Sequence, residues 1–252
     1  FLWGARSVWS GDEVMLAGTR VPGTNCSDGL DFTRAEVEAR YQMRWVLGHL
    51  RTFPGYDNIR LVDIGAQIGV RETRRIEGEY ELQERELLEG ARFADTIAQG
   101  VYPVDIHNPD GPGITFRHLD WLERVVQGDG TSIERRWDGQ PADAPKRETP
   151  CYSVPYRALV PRGLTNTLVA GRCVSASHEA AGALRVMINA MSFGHAAGLA
   201  AAEAALRQDG AVRAVAAGLL RERLKRDGVP LLDAPVAAPV CACISASRAG
   251  GP

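Results

Sequence analysis

No run of eighteen apolar residues occurs in this chain of 252 residues, which excludes a helix that spans a membrane. Nor is there a surplus of charge. Twenty-nine Lys and Arg face 31 Asp and Glu, for a net charge of −2, which gives no electrostatic footprint for nucleic acid and no basic face for an anionic membrane. Cysteine is scarce and scattered at Cys26, Cys151, Cys173, Cys241 and Cys243. Only the last two lie close together, and a C-x-C without a second pair or neighbouring histidines is a poor metal site. The expectation is no metal, and reduced thiols in a cytoplasmic protein. There is no Ser/His/Asp order and no nucleophile elbow, so hydrolysis has little support. No internal repeat is present. The opening residues, from Phe1 to Arg6, have no basic stretch leading into an apolar one, so they do not read as a signal peptide. They also lack an initiator Met and start inside a strand-like phrase, which leads to the expectation of a chain cut from a longer one.

What is present is the composition of an ordinary soluble protein, 45% hydrophobic and 24% charged. A core of this size packs without disulfides. Residues 1–20 read as strand material, with Val8, Val14, Met15 and Leu16 separated by the turn-forming residues 10–13. After a Gly/Asn/Ser/Asp-rich loop, Thr33 stands three residues before Glu36 in capping-box spacing. Apolar residues then recur every three to four positions and predict a helix over 34–52. Strands are expected at 59–64 and 77–82, one or two short helices over 84–99, the second built on Phe93 and Ile97, and a strand-like phrase at 101–107. A loop is expected over 127–149. In the last third, the apolar run 167–171 has the look of a buried parallel strand. Long helices follow at 187–208, crowded with Gly and Ala, and at 211–226. Small side chains at that density permit close approach to a sheet or a ligand. The Ala/Pro/Ser-rich residues 233–252 are expected to be disordered.

The block from Leu168 to Met187 joins a strand, a glycine-bearing loop and a helix start. The first N–H groups of a helix are unpaired and sit at the positive end of its dipole, so this is either a site for an electron-rich group or a plain α/β turn. Arg71, Arg74 and Arg75 form a dense cationic cluster around Glu72. They make either a structural ion-pair network or a guanidinium site for carboxylate and hydroxyl oxygens. His107 closes the Asp105-Ile106-His107 phrase at a turn and is the better candidate for a general acid or base. His178, before the long helix, is a second candidate, against a plain hydrogen bond to Glu179 or backbone.

Several of these phrases, in order along the chain, resemble the FAD-dependent oxidoreductase family that includes the xanthan-lyase-like flavoproteins. They are residues 69–76, 102–107, 154–161, the run from Leu168 to Gly198, and Leu220-Arg221-Glu222-Arg223-Leu224. The resemblance extends to about residue 232 and is to the carboxy-terminal half of such a protein. It implies an α/β fold, part of a Rossmann-type FAD-binding domain plus part of an interrupting α+β substrate domain. Residues 1–152 would belong to the substrate domain, with flavin-facing elements, and residues 153–232 to the returning FAD-binding segment. It further implies FAD as cofactor, with Gly171 and Arg172 near its ribityl and pyrophosphate portion. Arg185 would lie beside the flavin or hold an anionic substrate, and the backbone N–H groups of Val186 and Met187 would contact the flavin. Arg71 or Arg74 would stand at the flavin or substrate, and Tyr156 and Arg157 would line the substrate site. The family pattern often has Pro-Thr where this chain has Ile188-Asn189.

Among the 27 glycines none makes a G-x-G-x-x-G after a strand, so the adenine end of FAD has no expected seat here. The expected partner is therefore an amino-terminal FAD-binding chain that carries this motif, together with a small-molecule substrate. The expected reaction takes a hydride equivalent from a C–H bond to flavin N5, with His107 or His178 accepting the proton. A non-catalytic partner subunit and a degenerate interaction module remain the alternatives.

Overall fold

A computed structural model describes residues 3–6, 12–108, 111–138, 141, 143 and 151–232. The expectations for Cys241, Cys243 and the tail from residue 233, and for most of 139–150, lie outside the described residues. Strands β1 (Trp3–Arg6) and β2 (Val14–Ala17) form an antiparallel hairpin. Helix α1 (Gly29–Leu50) starts five residues before its predicted position, because Asp28 rather than Thr33 caps it, accepting from the N–H groups of Leu30 and Asp31. The Thr33 hydroxyl instead donates to Gly29 O, and Glu36 accepts from the N–H of Ile68 at 2.7 Å.

The core is built around β3 (Thr96–Gly100) and β8 (Tyr152–Pro155), paired antiparallel. Helices α2 (Glu84–Leu88), α3 (His178–Leu184), α4 (Met187–Arg207) and α5 (Ala217–Arg226) surround this ladder. Residues on both sides of position 152 thus share one core. Tyr152 is fully buried there, and a Cβ on Gly100 would meet its ring at 2.5 Å, so only glycine allows the strand this close. The Tyr152 hydroxyl accepts from Asn189 Nδ2 at 2.8 Å, and Asn189 also donates to Ala183 O. This buried pairing accounts for Asn189 structurally.

A second sheet, β4 (Val104–His107), β5 (Gly113–Arg117), β6 (Leu122–Gln127) and β7 (Ser132–Arg136), is an antiparallel meander in the order β4-β5-β6-β7. Helix α3 docks on β4 through Gly182, where a Cβ would stand 2.8 Å from Asp105 O. No described helix is long and apolar enough to cross a membrane.

The chain is mixed helix and sheet, as expected, but several predicted elements differ. Residues 59–64 and 167–171 are not strands. A strand exists only beside a partner, and the described residues supply none for either segment beyond the single bond from Val169 N–H to Leu159 O. Residues 77–82 reduce to two isolated bridges, Gly78 with Pro161 and Leu82 with Ala176, because the segment changes neighbour midway and no ladder can extend. Ile97 lies in β3 rather than in a helix, and 127–149 is partly the β6–β7 hairpin. The helix predicted at 211–226 is split into a 3-10 turn (Val212–Ala214) and α5. In α4 the alanines Ala196, Ala200 and Ala204 make the close approach to the core, while Gly194 and Gly198 face open space.

Candidate functional site

The stitching that prevents a strand at 77–82 also assembles a cleft. Ile76 N–H donates to Cys173 O, and Arg172 donates from its guanidinium to Val70 O. These bonds lay the arginine-bearing segment 70–75 alongside the loop at 171–173. Gly171 makes the turn at φ +91, a conformation L side chains rarely adopt. Between the two segments lies a cleft of about 640 Å³, lined on one wall by Val70, Glu72, Thr73 and Arg74 and on the other by Gly171, Arg172 and Cys173. Arg185, Met187 and Ala190 close its end. Its size falls within the range of small-molecule and cofactor sites.

Arg185 is the C-cap of α3 and Val186 the N-cap of α4, so the cleft ends where one helix stops and the next begins. Val186 offers no side-chain cap, and the first intrahelical bond of α4 runs from Ala190 N–H to Val186 O. The N–H groups of Met187, Ile188 and Asn189 therefore have no intrahelical acceptor. Three guanidiniums, those of Arg74, Arg172 and Arg185, line the cleft beside one carboxylate, that of Glu72. Glu72 is itself engaged by Arg75 at 2.9 Å and by His178 Nδ1 at 2.7 Å. The balance of charge in the cleft is positive.

Behind Arg185 lies a second cluster, centred on Asp105. Arg185 Nη2 donates to Asp105 Oδ2 at 3.0 Å, and the Tyr102 hydroxyl donates to the same oxygen at 3.1 Å. Arg71 Nη2 lies 2.8 Å from Asp105 Oδ1, and His107 Nε2 3.5 Å from it. The Arg71 contact has the distance of an ion pair but not the angles of a hydrogen bond. Arg71 Nη2, Asp105 Oδ1 and Arg185 Nε are thus buried without a hydrogen-bond partner among the described residues. Burial first, then the charges of Arg71 and Arg20, push the His107 pKa down to about 4, against the opposing pull of Asp105. His107 is a neutral imidazole at pH 7.

The predicted site residues therefore separate into groups. Gly171, Arg172, Arg74, Arg185 and Met187 border the cleft, and Val186 lies between two that do. His178 stands one bond away, through Glu72, while Arg71 and His107 reach the cleft through Asp105 and Arg185. The partner of His178 is Glu72, not Glu179. Tyr156 and Arg157 do not border the cleft. The Tyr156 hydroxyl donates to Val212 O at 2.9 Å, and Arg157 pairs with Asp95 at 2.9 Å while lying over the Tyr80 ring. Both side chains are held by partners within the fold. Asp105, Tyr102 and Cys173 were not singled out from the sequence. Asp105 was open to detection, because it and His107 are two apart on one strand and so share a face.

A family model for FAD dependent oxidoreductases matches residues 6–224. The chain belongs to the FAD-dependent oxidoreductase family. No curated protein and no solved structure matches it. Membership in this FAD-dependent family gives the cleft a cofactor to be tested against. An electron-rich ring edge requires donors and positive potential. Three guanidiniums, the unpaired N–H groups at the start of α4 and the buried, unpartnered Arg185 Nε match that requirement. The cleft residues fit the flavin end of FAD.

Proposed function

We propose that this oxidoreductase holds the flavin end of FAD in the cleft between residues 70–74 and 171–173 and oxidises a small organic substrate. The observation that carries this reading is the convergence of Arg74, Arg172 and Arg185 on one cleft that ends at the start of α4, whose first N–H groups have no intrahelical acceptor. FAD, when bound, supplies at N5 the acceptor for a hydride from a substrate C–H bond. Arg185 and the N–H groups of Met187 and its neighbours hold the electron-rich edge of the ring, and Gly171 leaves room for the ribityl chain. His107, an imidazole whose Nε2 lies 3.5 Å from Asp105 Oδ1, is the first candidate for proton acceptor, and His178, paired with Glu72, is the second.

In this reading residues 1–152 contribute the substrate side and residues 153–232 the returning cofactor-binding segment. The adenine end of FAD is held by a G-x-G-x-x-G motif on a partner chain. Beside that partner's strands, the extended segment at 167–171 takes its place in a Rossmann-type parallel sheet. Its residues are half-buried, and one backbone bond, from Val169 N–H to Leu159 O, pairs it with another segment, which is consistent with such a role.

Cys173, in the cleft wall, provides the test. Iodoacetamide labelling of the full chain is followed by peptide mass, with and without FMN or FAD. Either flavin is expected to slow alkylation of Cys173 in a saturable way and to leave Cys26 unaffected. Arg185→Gln is expected to weaken the protection about tenfold, the value of one charge-assisted hydrogen bond. Labelling of Cys173 at the same rate with and without flavin would remove the cleft as the flavin site.

A further inference from the structure

The proton acceptor proposed above stands beside a guanidinium that is only partly engaged. Arg71 meets Asp105 Oδ1 through Nη2, and its guanidinium makes no hydrogen bond among the described residues. Its side chain is 36% exposed, whereas that of Asp105 is 8% exposed. Asp105 is therefore the buried anchor, and Arg71 presents its remaining donors outward. The groups around His107 come from several segments: Asp105 on the same strand, Arg71 from the segment 70–75, Arg20 after β2, and Arg185 and Tyr102 on the far side of Asp105. Two guanidiniums, those of Arg71 and Arg185, meet the single carboxylate of Asp105, so this pairing carries an excess of positive charge beside a neutral imidazole.

We propose that Arg71, anchored by Asp105, binds the carboxylate of a small organic acid and presents it to His107, so that the substrates of this oxidoreductase are carboxylates. A planar guanidinium held at Nη2 by an ion pair, with its other donors open, matches the two oxygens of such a group. A point charge would not give the same two-oxygen match. The bound carboxylate offsets the excess cation charge and leaves His107 free to take a proton from the group being oxidised. The inference rests on the reading of the cleft given above, since it names the substrate class of that site, but its test is independent of flavin.

The probe is sodium acetate, added to the full chain at constant ionic strength with sodium chloride as the balancing salt. The ring resonances of His107, assigned with His107→Gln, are followed by NMR. Acetate is expected to shift them saturably and to raise the pKa of His107, because a nearby anion favours the imidazolium. Arg71→Gln is expected to weaken acetate binding about tenfold, as loss of a charge-assisted pair does. Arg71→Lys, which keeps the charge without the fork and so protects the fold, is expected to bind between the two. Arg124→Gln, which removes an exposed cation from β6, leaves binding unchanged. A shift that chloride reproduces, that fails to saturate, or that persists at full strength in Arg71→Gln and Arg71→Lys overturns the proposal. Loss of acetate binding with intact protection of Cys173 by flavin would refute this inference alone. The reverse would refute the cofactor reading and leave the anion site standing.

Discussion

Two buried carboxylates in this protein have nearly the same composition around them and different fates. Glu123, on β6, is 2% exposed and sits between Arg117, at 2.7 Å, and Arg135, with Arg117 also reaching Glu84 at 2.6 Å. Both of its oxygens accept hydrogen bonds, and the network closes on itself. Asp105, on β4, likewise lies between two arginines, yet three buried polar atoms of its cluster are left without hydrogen bonds, and two of its partners open toward solvent or the cleft. A closed network holds a sheet together. An under-bonded one of the same residue types keeps donor capacity for something else. Ion-pair composition alone does not distinguish structure from function, whereas hydrogen-bond completeness does.

Breaking the closed network should have the larger effect on stability. Glu123→Gln leaves two guanidiniums facing an amide and is expected to cost about 3 kcal/mol in urea unfolding at pH 7. It should leave flavin protection of Cys173 unchanged. A loss well below that figure would mean that the meander tolerates an open network too, and the contrast would fall.

Asp105→Asn is expected to behave in the opposite sense. Its cluster is already incompletely bonded, so the stability loss should be smaller, about 1–2 kcal/mol. Without its anchor, however, Arg185 no longer holds its place in the cleft, and flavin protection should weaken about tenfold. Equal stability losses in the two variants, with flavin protection intact in both, would mean that Asp105 is another structural ion pair.

The smallest effect separates the two sites by pH. The folded-state pKa of His107 is lowered from 6.5 to about 4, so the unfolded chain binds more protons between those values. The resulting stability is fully present above about pH 6.5 and is lost as pH falls toward 4. At Glu123, burial pushes the pKa up, but the hydrogen bonds from Arg117 and Arg135 outweigh it and hold the carboxyl below its ordinary value. Its contribution is lost only as pH falls below the usual glutamate range. Urea midpoints measured from pH 7 to pH 4 should therefore decline in the parent chain and in Glu123→Gln, and be flatter in His107→Gln. An unchanged slope in His107→Gln would mean that the imidazole is not held neutral by its surroundings.

The helix α4 was legible almost to the residue, because a long run of small and apolar side chains at helical spacing has few alternatives. The turn at Gly171 and the helix start at Val186 were legible for the same local reason. Residues 59–64 and 167–171 were not, since an apolar run says that a segment will be buried or paired but not whether a partner strand is there to receive it. The capping of α1 was misread by five residues because Thr33 and Asp28 both have the chemistry of a cap. The bonds each makes distinguish them, since Asp28 accepts from two N–H groups of the first turn while Thr33 donates to Gly29 O.

By itself the sequence determined the family, the cationic character of residues 71–75 and the helix start opposite them, since these depend on residue type and near spacing. Only the tertiary structure decided that Glu72, rather than Glu179, holds His178, that Arg157 belongs to Asp95, and that Asp105 joins Arg71, His107 and Arg185. Those pairings link residues between 34 and 106 positions apart, apart from the local pair on β4. Which charges meet over such separations is fixed by how the strands and helices pack, and no local pattern in the chain encodes it.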